Sequence, residues 1–117
     1  MTGSFLIRRA TWTAVSTAGL LAWPSLGQAT DAQTLALGKQ LFTQAAVPAC
    51  ALCHTLADAG SEGAVGPVLD DLKPEASRVA RALRNGIGQM PSYANSLSAA
   101  QIEALAQYVA RASGASR

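Results

Sequence analysis

Histidine is nearly missing from this chain of 117 residues: His54 is its only one, and the cysteines number just two, Cys50 and Cys53. A zinc site would need a fourth ligand that no further His or Cys supplies. A thioredoxin-like pair should follow a strand in a βαβ pattern, and the sequence has none. Charge is sparse at 14%, and no basic run with interleaved aromatics occurs, so nothing points to nucleic acid. Aromatics make up 5% of the chain, and repeats, linkers and low-complexity tracts are lacking.

The N-terminus has its own composition. Arg8 and Arg9 precede an apolar or small stretch from Ala10 to Leu26, and Gly27-Gln28-Ala29 offers small residues for cleavage. This is the pattern of a secretory signal peptide, with processing expected after Ala29 and export to the periplasm. The run is too short, and too broken by Thr, Ser, Gly and Pro24, to predict a stable membrane anchor. Residues 30–117 then form one domain in which seven basic and seven acidic residues balance. Only Phe42, Tyr93 and Tyr108 remain as aromatics, a thin supply for the core of so small a domain.

What is there is organised around Cys50-Ala51-Leu52-Cys53-His54. Two thiols three positions apart, followed at once by an imidazole, form the attachment signature of a c-type haem. Positions i and i+3 share one face of a helical turn, so both sulfurs can reach the vinyl groups at one porphyrin edge, with His54 as proximal ligand. A structural disulfide is the remaining alternative for an exported chain. A stapled apolar cofactor would also supply the core that the aromatics do not.

Helical spacing of Leu35, Gly38, Leu41, Phe42 and Ala45 predicts a helix over 31–46 with Asp31 as N-cap, ended by Pro48. Gly38 is expected where another element approaches closely. Gly60, Gly63, Gly66 and Pro67 mark a long loop over 55–72, of the kind that wraps something. The carbonyl of Pro67 could orient the His54 ring, or Gly66-Pro67 is simply a turn. Pro74 suits the first position of a helix closed by Asn85-Gly86. Its Arg78, Arg81 and Arg84 are either solvated or partners of a haem propionate or an acidic protein. Met90, in a Gly- and Pro-held segment, is the one methionine left after the leader. With no second His, it is the soft side chain available as a distal ligand, and core packing is the alternative. Tyr93 is expected against the haem or its rim. Ser98 and Gln101 make a capping box for a last helix through Ala112, buried along Ile102, Leu105, Ala106 and Val109.

Taken together, the helix with Gly38 and Phe42, the Cys50–His54 motif, Gly66-Pro67, Met90-Pro91 and the helix carrying Leu105 and Tyr108-Val109 resemble a class I monohaem cytochrome c. The resemblance implies an all-α fold of three to four helices wrapped around one covalently attached haem c. It implies thioethers at Cys50 and Cys53, iron held by His54 and Met90, and a crossing of terminal helices near Gly38, Phe42 and Tyr108. It further implies one-electron transfer to and from redox proteins, without catalysis by this chain alone. The stretches Gly38–Phe42, Pro48–Gly60 and Gly66–Leu72 also resemble the small cytochrome subunit of bacterial sulfite dehydrogenases, implying a molybdenum-containing partner. A freely diffusing carrier is a rival reading. So is a haem sensor or peroxidase with a labile distal Met.

Overall fold

The computed structural model describes residue 1 and residues 29–116, so the leader expected over 1–29 lies outside them but for its two end residues. Four α-helices carry the fold: α1 (Asp31–Gln40), α2 (Leu69–Leu72), α3 (Ala76–Asn85) and α4 (Ala99–Ala112). The only ladder among the described residues is a two-residue antiparallel pairing, Thr55 with Glu62 and Leu56 with Ser61. The expected helical class therefore holds, with this small hairpin added inside what reads as loop.

Helix α1 starts one residue earlier than its sequence suggests. Thr30, not Asp31, is the N-cap: its hydroxyl accepts from Gln33 N at 3.3 Å while Gln33 Oε1 accepts from Thr30 N at 2.9 Å. Asp31 instead sits in the first turn, where the helix dipole favours an acid. At its far end the helix widens into a π turn over Leu41–Ala45, closed by Ala46 N donating to Leu41 O at 3.1 Å. A correction also applies to α3. Glu75 is its N-cap, and Pro74 is buried just outside the helix rather than at its first position. Lys73, at φ 44°, ends α2 immediately before. Gly86, at φ 69°, caps α3 as expected.

α1 packs chiefly on α4, and α3 on the same helix. Gly38 is buried at the α1–α4 crossing, where a Cβ would collide with Ala104 O and Tyr108 Cβ. Phe42 and Tyr108 meet there edge to face, with centroids 5.9 Å apart. The core continues through Leu41, Leu56, Leu83 and Leu105, all fully buried. Ser98 and Gln101 close the capping box of α4 with bonds of 3.1 and 2.9 Å.

Candidate functional site

The motif itself opens as a 3-10 turn, Cys50–Leu52, in which Cys53 N and His54 N both donate to Cys50 O, at 3.1 and 2.9 Å. Both cysteines are unpaired in this structure, and each is half-buried. Burial pushes the Cys50 thiol up to about 11. A redox-active pair depends on a thiol lowered in pKa, the opposite direction. No group of three or more His, Cys, Asp or Glu able to hold a metal occurs among the described residues.

The segment after the motif folds back over it. Ser61 Oγ donates to His54 O at 2.9 Å and accepts from Leu56 N at 3.1 Å. Thr55 Oγ1 donates to Gly63 O at 3.1 Å, and Val65 N and Gly66 N both donate to Cys53 O, at 3.1 and 2.7 Å. Gly63 lies so close to the motif backbone that a Cβ would sit 2.6 Å from His54 N. The bonds to Cys53 O and His54 O, with Gly63 packed against them, thus fix the peptide on which the His54 ring is mounted.

The ring is held as well. His54 Nδ1 lies 2.9 Å from Pro67 O. A carbonyl can only accept, so Nδ1 carries the proton and Nε2 keeps its lone pair for a metal. Of the two readings of Gly66-Pro67, the structure thus displays the orienting bond. Gly66 makes room for it: a Cβ there would stand 2.7 Å from Nδ1 and 2.9 Å from Nε2.

Met90 follows α3 in the chain and is partly buried against the core. Its loop is a tight turn in which Ile87 N donates to Met90 O and Met90 N to Ile87 O, both at 3.0 Å. Gly88, at φ 57°, takes the conformation that this turn demands. Tyr93 is buried, and its hydroxyl donates to Pro48 O at 2.7 Å. Burial pushes that hydroxyl up to about 12.

These residues fit a covalently attached haem. Two free thiols share one turn, an imidazole nitrogen is left basic, and a thioether is available on a separate loop. Large apolar side chains on the same segments lie open, Leu52 at 68%, Val65 at 67% and Ile87 at 69% exposure.

One network was not apparent from the sequence. Tyr108 donates to Asp58 Oδ2 at 2.6 Å, and Lys39 Nζ pairs with the same oxygen at 3.2 Å while donating to Asp58 O at 2.7 Å. The Tyr108 hydrogen bond, then Lys39, holds the Asp58 carboxyl below the usual range. Burial, and the acceptor role of Asp58, raise the Tyr108 hydroxyl. The three residues pin the loop behind the motif to the α1–α4 crossing. Fifty residues separate Asp58 from Tyr108, and no local signal connects them.

Residues 32–109 match the family described as cytochrome c oxidase, cbb3-type, subunit III. The crystal structure of the c-type cytochrome SorU from Sinorhizobium meliloti is similar at a TM-score of 0.67 and 53% identity, covering 69% of this chain and 92% of that one. No curated protein matches the chain.

Proposed function

We propose that this chain, which belongs to the cytochrome c family by its match over residues 32–109 and carries electrons on a covalently attached haem c, holds the iron between His54 and Met90. Bound haem supplies a one-electron ferrous/ferric couple. The remaining work falls to the chain. Cys50 and Cys53 provide the thioether attachments. Pro67 O keeps the His54 proton on Nδ1 and so the ligand on Nε2, and a hydrogen-bonded imidazole is also a more basic ligand. A thioether supplied by Met90 would favour the ferrous state and raise the potential. With His54 and Met90 both holding the iron, the chain would offer no open position for a substrate and would exchange electrons without catalysing a reaction alone.

The observation that carries this reading is the 2.9 Å bond from His54 Nδ1 to Pro67 O beside two unpaired thiols. Expression in a host with haem-attachment machinery tests it. The ferric protein should show the near-infrared charge-transfer band of Met-ligated iron, and Met90→Ala should abolish it. A band that survives Met90→Ala would refute Met90 as ligand, and a high-spin ferric spectrum in the unsubstituted protein would favour the sensor or peroxidase reading.

Its place is the periplasm, following the leader pattern at 1–29, and no described helix is long and apolar enough to cross a membrane. The partners of a c-type cytochrome are redox proteins. The more specific proposal, that one of them is a molybdenum-containing subunit oxidising sulfite, is supported by the likeness of the Gly38–Phe42, Pro48–Gly60 and Gly66–Leu72 stretches to such small subunits. Stoichiometric molybdenum in material co-purified with the tagged holoprotein would bear it out. Recovery of the cytochrome alone would favour a free carrier.

A further inference from the structure

Met90 reaches the site on a loop, and the way that loop is tied down is asymmetric. Three of its attachments run to α3 or within the loop itself. The Ile87–Met90 bridge closes the turn, Ser92 Oγ donates to Arg84 O, and Tyr93 N donates to Leu83 O at 2.7 Å. These bonds would survive if loop and α3 moved together away from the motif. One described hydrogen bond crosses to the other side: Tyr93 Oη donates to Pro48 O at 2.7 Å, over 45 residues of chain and two positions before Cys50. Tyr93 is 3% exposed, so water has little access to compete for that bond.

We infer that Tyr93 is a positioning residue for the distal ligand: through the Pro48 carbonyl its hydroxyl keeps the Met90 loop closed on the Cys50–His54 motif. The inference rests on the assignment of Met90 as ligand. Packing of the ring alone would hold the loop as well with Phe as with Tyr. The hydroxyl adds a directional tie between the two segments that carry the iron's ligands. Breaking it favours arrangements in which the loop swings out and a competing base takes the place of Met90.

The test is titration of the ferric holoprotein with imidazole, read by the loss of the near-infrared Met–iron band. Tyr93→Phe keeps the ring and deletes only the hydroxyl. One neutral hydrogen bond lost from the closed state corresponds to imidazole binding tighter by about 2- to 12-fold. Tyr108→Phe is the control: it deletes an equally buried hydroxyl bonded to Asp58, away from the Met90 loop, and should leave imidazole affinity unchanged. Unaltered affinity in Tyr93→Phe would overturn the inference, as would equal shifts in both variants, which would report general loosening. A native protein with no such band would overturn the Met90 assignment first and this inference with it, whereas a normal band with an inert Tyr93→Phe would overturn this inference alone.

Discussion

The substitution Gly66→Ala tests the site most directly. Gly66 has no left-handed backbone angle that Ala could not adopt, so the effect is carried by one methyl group. That methyl would stand 2.7 Å from His54 Nδ1 and 2.9 Å from Nε2, and closer still to Cε1. Carbon and nitrogen in non-bonded contact need roughly 3.5 Å, so ring and loop must part by about 1 Å. The bond from Nδ1 to Pro67 O, now 2.9 Å, cannot absorb a shift of that size and remain a hydrogen bond. Overpacking a tight site costs about 1–3 kcal/mol, and the lost bond about 1 kcal/mol more. At 2 kcal/mol, a domain of this size should melt roughly 8–16 °C lower. The assay is thermal unfolding of the holoprotein together with its reduction potential, because an imidazole without its carbonyl partner is a weaker donor to iron. Gly66→Ala protein with unchanged melting and potential would refute the argument that Gly66 is present to seat the ring.

Gly38→Ala should destabilise the fold by about 1–3 kcal/mol despite the better helix propensity of Ala, because its methyl meets the α4 backbone at Ala104, which cannot turn aside. Thermal unfolding checks it, and a stabilised variant would show that α1 and α4 have slack at their crossing. Asp58, whose carboxyl is lowered by the Tyr108 hydrogen bond and then by Lys39, gives a pH prediction. A carboxyl lowered in the folded state stabilises above its unfolded value near ~3.9 and loses that contribution as pH falls through the folded value. Stability of the unsubstituted protein should therefore fall more steeply below about pH 5 than that of Asp58→Asn, which still accepts from Tyr108. Parallel acid limbs in denaturant titrations would remove Asp58 from the account.

Much of this was legible because it is local. Ser98 and Gln101 lie three apart and cap α4 as the pattern demands. Gly38 announces a close approach, and Gly66-Pro67 offers His54 a carbonyl that the structure places within hydrogen-bond range. What escaped was non-local or too short to leave a pattern. A hairpin with two residues per strand has no period to detect, and the competition between Thr30 and Asp31 for the N-cap turned on where Gln33 could reach back. The bonds of Tyr93 to Pro48 and Tyr108 to Asp58 span 45 and 50 residues. Both tyrosines were legible as apolar bodies; their hydroxyl partners were not.

Those two hydroxyls clarify how a chain with three aromatics in its described region builds a defined site. Phe42 has no polar handle and serves the helix crossing alone. Each tyrosine fills core with its ring and spends its hydroxyl on a loop beside the motif: Tyr108, with Lys39 of α1, on the loop behind His54, and Tyr93 on the entry to Cys50. A buried hydroxyl without a partner would cost about 1–3 kcal/mol, so each is a reason for its loop to stay where it is. The two loops approach the motif from opposite chain directions, one following His54 and one preceding Cys50. The motif is therefore anchored at both ends to α4 and to the Met90 segment, independently of the helical turn that carries its thiols. On this argument Tyr93→Phe and Tyr108→Phe should be separable in effect, the first loosening the Met90 side and the second the His54 side. A double variant should show the sum of the two losses within about 0.5 kcal/mol, since the hydroxyls share no partner. Strong non-additivity in thermal or denaturant unfolding would mean that the two ends of the motif are a single cooperative unit.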